Sequence, residues 1–325
     1  MLFRERYEHE LRLIRGSQAW VVAGLAGALL VALPFLVKGY LVYNMTLFFV
    51  YALVALSLSV LVGLTGQVSL GHAGFLAAGA YVFVIATQHG FPYLLAVLAA
   101  VLVSAALGVV IGVPSLRLEG PYLAIATLGF GLAIQQILTN WRLVGASTGT
   151  LVDRPVILGI DFYGDRAYYY LVLVLAGFVT WMLFNLERSH VGRAFRATRD
   201  ADLAAQMSGI GLARYKTLAF VISAAVAGLA GALYGPLVGY ITPEGFNLLL
   251  SIKFLLMTVV GGLGFLPGAL LGAGFITGLD LVLSTFRSWS QLTFGAVVIA
   301  VMMLEPAGLY GRWLKIKQFW KSWPL

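Results

Sequence analysis

The sequence predicts an all-α integral membrane protein of about ten transmembrane helices, with both termini inside and with helices that break or re-enter. Three observations predict it. Of 325 residues, 61% are apolar and only 10% charged, and the mean hydropathy is +0.94. Apolar runs of about eighteen residues or more recur along the whole length, each long enough to cross roughly 30 Å of hydrocarbon. Lys and Arg gather in short segments beside those runs, as they do in cytoplasmic loops. The net charge of +8 is therefore placed for a membrane surface and not for nucleic acid. With no cysteine, disulfides, thiolate chemistry and Cys-ligated metals are excluded.

Residues 1–19 alternate charges (Arg4, Glu5, Arg6, Glu8, Glu10, Arg12, Arg15) and read as a cytoplasmic amphipathic segment on the inner surface. The apolar run from Trp20 to Val37 is too long for a signal-peptide core, and no small-x-small site follows it. It is expected to stay as the first helix. Further helices are expected near 44–62, 70–87, 92–113 and 121–140, then near 168–186, 217–240, 248–265, 268–286 and 289–304. The whole of 20–310 forms one transmembrane domain, followed by a basic cytoplasmic tail over 311–325. With the N-terminus inside, fifteen basic residues face inward, among them Arg188, Arg193, Arg196, Arg199, Arg214 and Lys216, while five face outward (Lys38, Arg142, Arg154, Arg166, Arg287). That asymmetry fixes the parity. Tryptophan and tyrosine at the run ends (Trp20, Tyr40, Trp141, Trp289, Trp313, Trp320) suit interfacial belts.

One stretch is not written as a helix in lipid. Val62-Gly63-Leu64-Thr65-Gly66-Gln67-Val68-Ser69-Leu70-Gly71-His72-Ala73-Gly74-Phe75 holds four glycines, three polar side chains and one His between two apolar runs. Unpaired backbone groups cost several kcal/mol in hydrocarbon, so such a break survives only against protein or a wet cavity. Gly66, Gln67, Ser69, Gly71, His72 and Gly74 are candidates for a path or gate. The glycines also suit close helix approach, and Gln67, Ser69 and His72 either satisfy carbonyls of the broken helix or face a passing solute. A second break, Val260-Gly261-Gly262-Leu263-Gly264-Phe265-Leu266-Pro267-Gly268, aligns loosely with the first and adds Gly261 and Gly262 to the candidates.

Two loops exceed hairpin length. Residues 141–167 form an external loop whose Arg and Asp balance, and whose Gly and Pro suit a compact cap. Residues 187–216 form a cytoplasmic loop that reads as two short helices parting near Arg199-Asp200, with Asp200 capping the second and Gly209 ending it. Leu203, Met207 and Ile210 make a narrow apolar stripe without a partner in the loop itself. The stripe is either part of a solvated connector or a plug for a groove on another protein.

The run Arg199-Asp200-Ala201-Asp202-Leu203-Ala204-Ala205-Gln206-Met207-Ser208-Gly209-Ile210 resembles the "EAA" loop of ABC importer permeases, with Asp in place of the usual Glu. Gly63–Phe75, Gly120–Gly129, Leu218–Tyr234 and Val260–Gly272 resemble, in order, segments of the branched-chain amino-acid ABC permease family, closest to its M-type subunit. Lys253 departs from the pattern. The resemblance implies a permease subunit of an ATP-driven importer in a prokaryotic inner membrane, forming the path for branched-chain amino acids. It implies a second homologous permease subunit, two cytoplasmic ATP-binding subunits and an extracytoplasmic solute-binding protein as partners. It also implies docking of the ATP-binding subunits through Arg199, Asp202, Leu203, Ala204, Ala205, Met207, Gly209 and Ile210. Urea or short amides would suit the same smooth path. A gradient-driven amino-acid carrier is the rival from another class, and it calls for intramembrane acids at the breaks.

Asp280 and Lys253 sit at similar depth on neighbouring helices and are expected to form a structural ion pair, with Arg287 as the other basic option for Asp280. A lone His without carboxylates nearby does not make a metal site. No phosphate-binding loop, nucleophile–base pair or cofactor motif occurs. Energy must then come from a partner subunit or an ion gradient; the resemblance implies ATP and Mg on partner subunits, with no cofactor in this chain, which reads as no enzyme.

Overall fold

The structure, a computed structural model, describes residues 17–118, 120–157, 160–284, 290–305 and 308–322. The amphipathic segment expected before Ser17, the Glu119 and Arg287 side chains, Trp289 and the last three tail residues fall outside that range. The rest is helical with a few two-residue strands.

Helices α1 (Ser17–Leu36), α2 (Gly39–Leu58), α3 (His72–Gln88), α4 (Tyr93–Gly112), α5 (Pro121–Asn140) and α6 (Asp165–Arg188) precede two short helices of the 187–216 loop, α7 (His190–Asp200) and α8 (Asp202–Met207). Helices α9 (Leu212–Val238), α10 (Leu248–Gly261), α11 (Leu266–Leu283), α12 (Ser290–Leu304) and α13 (Gly308–Ser322) complete the chain. Every apolar run picked out in the sequence is a helix. Six of them, over 39–64, 93–117, 121–140, 165–188, 212–238 and 266–283, are long and apolar enough to cross a membrane. Helices α3 and α10, with 17 and 14 residues, fall short of that length, and each abuts one glycine break. The chain is thus an all-α membrane protein with broken helices.

Burial sorts these helices. The apolar window of α2 is 89% buried and that of α9 72%, against 22% for α4 and α5. So α2 and α9 form the centre. Helix α2 packs on α6, α9, α10 and α11, and α3 is held between α4, α5 and α9. Leu98, Leu102, Val110, Ile125, Val174 and Phe178 point outward from the peripheral helices, as side chains do that face lipid.

Small residues allow the central contacts. A Cβ on Gly79 of α3 would lie 2.1 Å from the Gly228 carbonyl of α9, and one on Gly231 the same distance from the Leu76 carbonyl. The two backbones touch, which is how helices gain dispersion energy where lipid removes the hydrophobic drive. We expect Gly79→Ala to cost about 1–3 kcal/mol by forcing α3 off α9, read as a lower unfolding temperature in detergent.

Backbone accounting explains one of two tyrosines that meet α1. Pro34 in α1 has no N–H, so the Leu30 carbonyl four residues back loses its helical donor. The Tyr169 hydroxyl of α6 donates to Leu30 O at 2.8 Å, and Tyr170 donates to Val31 O at 2.6 Å. The 141–167 loop is folded as a cap. Strand β1 (Thr150–Leu151) pairs antiparallel with β4 (Tyr240–Ile241), and β2 (Val156–Ile157) pairs with β3 (Ile160–Asp161). Arg154 and Asp165 close the loop with an ion pair of 2.7 Å.

Candidate functional site

The first break begins where α2 ends. The helix continues through Ser59–Leu64 wound as a π-helix, and the chain then runs irregularly from Gly66 to Gly71 before α3 starts at His72. Gly66 has φ +73°, a left-handed turn that glycine takes without strain. Several of its backbone groups find partners within the turn itself. Gly66 N donates to Val62 O at 3.1 Å and Gln67 N to Leu61 O at 3.2 Å. Thr65 Oγ1 also donates to Leu61 O at 2.6 Å.

The polar side chains singled out in the sequence mostly serve this pairing. Gln67 Nε2 donates to Thr65 Oγ1 at 2.9 Å and to the Lys216 carbonyl of α9 at 3.4 Å, while Gln67 Oε1 is buried without a partner. His72 is fully buried. The Ser223 hydroxyl on α9 donates to the Ser57 carbonyl at 2.7 Å, so its oxygen is left to accept from His72 Nε2–H, also at 2.7 Å. His72 Nδ1 then accepts from the Ser69 hydroxyl at 3.0 Å. The partners thus set the tautomer. At the open start of α3, Leu70 N donates to Thr127 Oγ1 and Ala73 N to Ser251 Oγ, both at 3.0 Å. These supply partners for amides that a helix start leaves unpaired. Gly71 and Gly74 bring α3 against α5: a Cβ on Gly71 would lie 2.2 Å from the Thr127 carbonyl, and one on Gly74 3.0 Å from Gly131 Cα.

The second break is a tight turn between α10 and α11. Gly262 and Gly264 hold φ of +119° and +87°. Gly261 packs on Gly268 across the turn, where a Cβ would meet the Gly268 carbonyl at 2.0 Å. The first residue of α13, Gly308, lies against Gly262.

The two breaks meet. A Cβ on Gly63 would sit 2.9 Å from Gly264 N, so the end of α2 and the α10–α11 turn are in backbone contact. The sequence marked both breaks but not their contact. Into this junction reaches Arg199, the penultimate residue of α7, whose Nη1 donates to Gly63 O at 2.5 Å.

The 187–216 loop divides its residues between the body and solvent. Ser189 caps α7 by accepting from Val191 N at 3.1 Å and Gly192 N at 3.4 Å. Asp200 ends α7 and does not cap α8, whose N-cap is Ala201. Gly209 ends α8 as expected, left-handed at φ +81°, with Gly209 N donating to Gln206 O and Ile210 N to Ala205 O. Leu203, 76% exposed, and Met207, 91% exposed, share one open face with Ala204. Ala205 is buried, Ile210 half-buried, and Asp202 is turned inward to Lys216 at 2.5 Å. Of the residues expected to dock a partner, Leu203, Ala204, Met207 and Gly209 are therefore free to do so, whereas Arg199, Asp202 and Ala205 engage the body.

Asp280 of α11 does pair with Lys253 of α10, and the Lys253 ammonium lies 5.4 Å from the Tyr51 ring centre. Removing one charge leaves the other unpaired at low dielectric. We expect Asp280→Asn to lower the yield of folded protein in membranes, and the double change Lys253→Met with Asp280→Leu to restore most of it. Among the described residues no three His, Cys, Asp or Glu side chains group as a metal site.

Ser57, Thr127, Ser223 and Ser251 complete the site, and sequence reasoning passed over them. Their signal was modest: a small hydroxyl with apolar neighbours, in helices that each carry a second one.

Residues 40–304 match the family model described as branched-chain amino acid transport system / permease component. The chain is 34% identical over 305 residues to the high-affinity branched-chain amino acid transport system permease protein LivM of Salmonella typhimurium, covering 86% of this chain and 72% of that protein. It is 34% identical over 307 residues to the LivM of Escherichia coli K12, with the same shares covered. The autoinducer 2 import system permease protein LsrC of an Enterobacter species is 30% identical over 233 residues, covering 68% of this chain and 66% of that one. No solved structure matches the chain.

Proposed function

We propose that this chain, which belongs to the branched-chain amino acid transport system permease family, lines one side of the path of an ATP-driven importer for branched-chain amino acids. The observation that carries this reading is the extent of the match. Residues 40–304 contain both glycine breaks, their junction and the whole α7–α8 loop, so the likeness covers the parts that would move and not only the apolar scaffold. The protein is a multi-pass protein of the bacterial inner membrane and its family is one of transport subunits.

In this reading the chain crosses about ten times with both termini inside, α3 and α10 among the crossings, and the Arg-rich loop over 187–216 faces the cytoplasm. The open face of α8, with Leu203, Ala204 and Met207, meets one of two ATP-binding subunits that carry ATP and Mg. A second permease subunit pairs with this one, and a solute-binding protein docks over the 141–167 cap. The domain limits follow: a surface segment to residue 19, the permease domain over 20–310 and the basic tail from 311. The junction of the breaks is the inner gate, with Gly66, Gln67, Ser69, Gly71, His72, Gly74, Gly261 and Gly262 as its hinge.

The LsrC likeness extends to an importer of another cargo, and a second reading of this chain has it carry another small polar solute such as urea or a short amide. The complex captured through a tag on this chain and reconstituted in liposomes decides between them. Uptake of labelled leucine that needs internal or external ATP on the ATP-binding side, and that valine and isoleucine but not urea compete, is the expected result. Leucine uptake driven by a proton or sodium gradient without ATP would overturn it.

A further inference from the structure

The Arg199 guanidinium occupies a slot made by glycines of both breaks. Its Nη1 donates to Gly63 O at 2.5 Å. A Cβ on Gly264 would lie 2.5 Å from that same Nη1, and one on Gly66 would lie 3.4 Å from Arg199 Cγ. Side chains at either glycine would crowd the slot. Gly66 and Gly264 both hold positive φ, so glycine there serves the turn and the cavity together.

The bond has a local cause. Past the π-helical turn, the amides of Gly66 and Gln67 are used by Val62 and Leu61, and the Gly63 carbonyl takes its hydrogen bond from Arg199. That carbonyl lies at the C-terminal end of α2, where the helix dipole favours a cation. Among the described residues Arg199 makes no ion pair, so its charge is spent on this carbonyl. The residue as a whole stays exposed, hence able to leave.

Arg199 is also mechanically placed. It precedes the Asp200-Ala201 link to α8 and stands on an eleven-residue helix anchored by buried Ala194, Phe195 and Thr198. A second tie runs parallel to it: Asp202 of α8 to Lys216, whose carbonyl accepts from Gln67 of the first break. A push on the open face of α8 thus reaches the junction by two routes, and only the Arg199 route touches both breaks.

We propose that Arg199 is a positioning residue that couples movement of α7–α8 to the gate, holding the two breaks together when inserted and releasing the α10–α11 turn when withdrawn. The inference rests on the importer reading and adds to it how the loop acts on the path. A single charge-assisted hydrogen bond suits a switch made and broken in each cycle: losing it from one state shifts the balance roughly tenfold or more.

The test uses the complex captured through a tag on this chain and reconstituted in liposomes, with Arg199→Ala and Arg199→Lys. For Arg199→Ala the ATP-binding subunits should co-purify in wild-type ratio, while the ratio of leucine-stimulated to basal ATP hydrolysis, and leucine uptake, fall roughly tenfold. Arg199→Lys keeps the charge but not the forked reach, and should recover part of the stimulation. Loss of co-purification would overturn the proposal by making Arg199 a docking residue, and unchanged stimulation and uptake would overturn it too. Both of those outcomes leave the importer reading standing. Absence of ATP-dependent leucine uptake in the wild-type complex would instead remove that reading, and the proposal with it.

Discussion

Ala204→Arg should abolish ATP-driven uptake while leaving the chain folded in the membrane. Ala204 lies on the open face of α8 beside Leu203 and Met207, which are 76% and 91% exposed. Apolar side chains that exposed on a surface helix ask for a partner. An arginine at that position costs the isolated chain nothing in packing, because Ala204 is exposed. At a closed interface the same side chain would have to bury a charge without a partner, which costs several kcal/mol. The expected result is a normal size-exclusion profile for the chain in detergent, with loss of ATP-binding subunits from the captured complex. The contrast variant is Ala205→Arg. Ala205 is 4% exposed and faces the body, so its replacement should damage the fold itself. If Ala204→Arg kept its ATP-binding subunits and its uptake, α8 would be a solvated connector, the bland alternative that the sequence left open.

The helices were legible because lipid imposes a simple rule: an apolar run of sufficient length is a helix. Each of the ten runs read from the sequence falls on a helix among the described residues. Glycine and polar residues at 62–75 and 260–268 marked the breaks for the same reason, since nothing else explains them in hydrocarbon. What the breaks do to each other was not legible. Gly63 and Gly264 lie 201 residues apart in sequence and touch only because α2 and the α10–α11 turn end at one level. Nor could spacing show that His72 would find Ser223, 151 residues away, or that Arg199 would reach Gly63, 136 residues back. Family likeness pointed Arg199 and Asp202 at a partner protein. Within this chain Arg199 meets the Gly63 carbonyl and Asp202 meets Lys216, contacts that spacing along the sequence could not show. The 141–167 cap was read as a compact loop from its Gly, Pro and Asp. Its short strands escaped, since two-residue ladders leave no periodicity.

His72→Ala should lower the stability of the chain by about 3–5 kcal/mol, summing a cavity and two lost buried hydrogen bonds. His72 is fully buried between Ser69 and Ser223, and Ser223 in turn holds the Ser57 carbonyl of α2. One imidazole thus joins the loosened break, the start of α3, α9 and, through a serine, α2. Ser223 would keep its bond to Ser57, but its oxygen would lose a donor, and the Ser69 hydroxyl would lose its acceptor. Two roles were open for this residue from the sequence: fixing a broken helix, or lining the path and touching the solute. They separate experimentally. A tie lowers the unfolding temperature and the amount of protein in the membrane, while the KM for leucine in the surviving complex stays near wild type. A path residue does the reverse, raising KM at unchanged stability. The burial and the closed chain of donors and acceptors favour the tie. His72→Gln, which offers one donor and one acceptor on a longer stem, should recover part of the loss. A raised KM with wild-type unfolding would place His72 on the path instead, and the hinge would then have to be sought in the glycines of the two breaks.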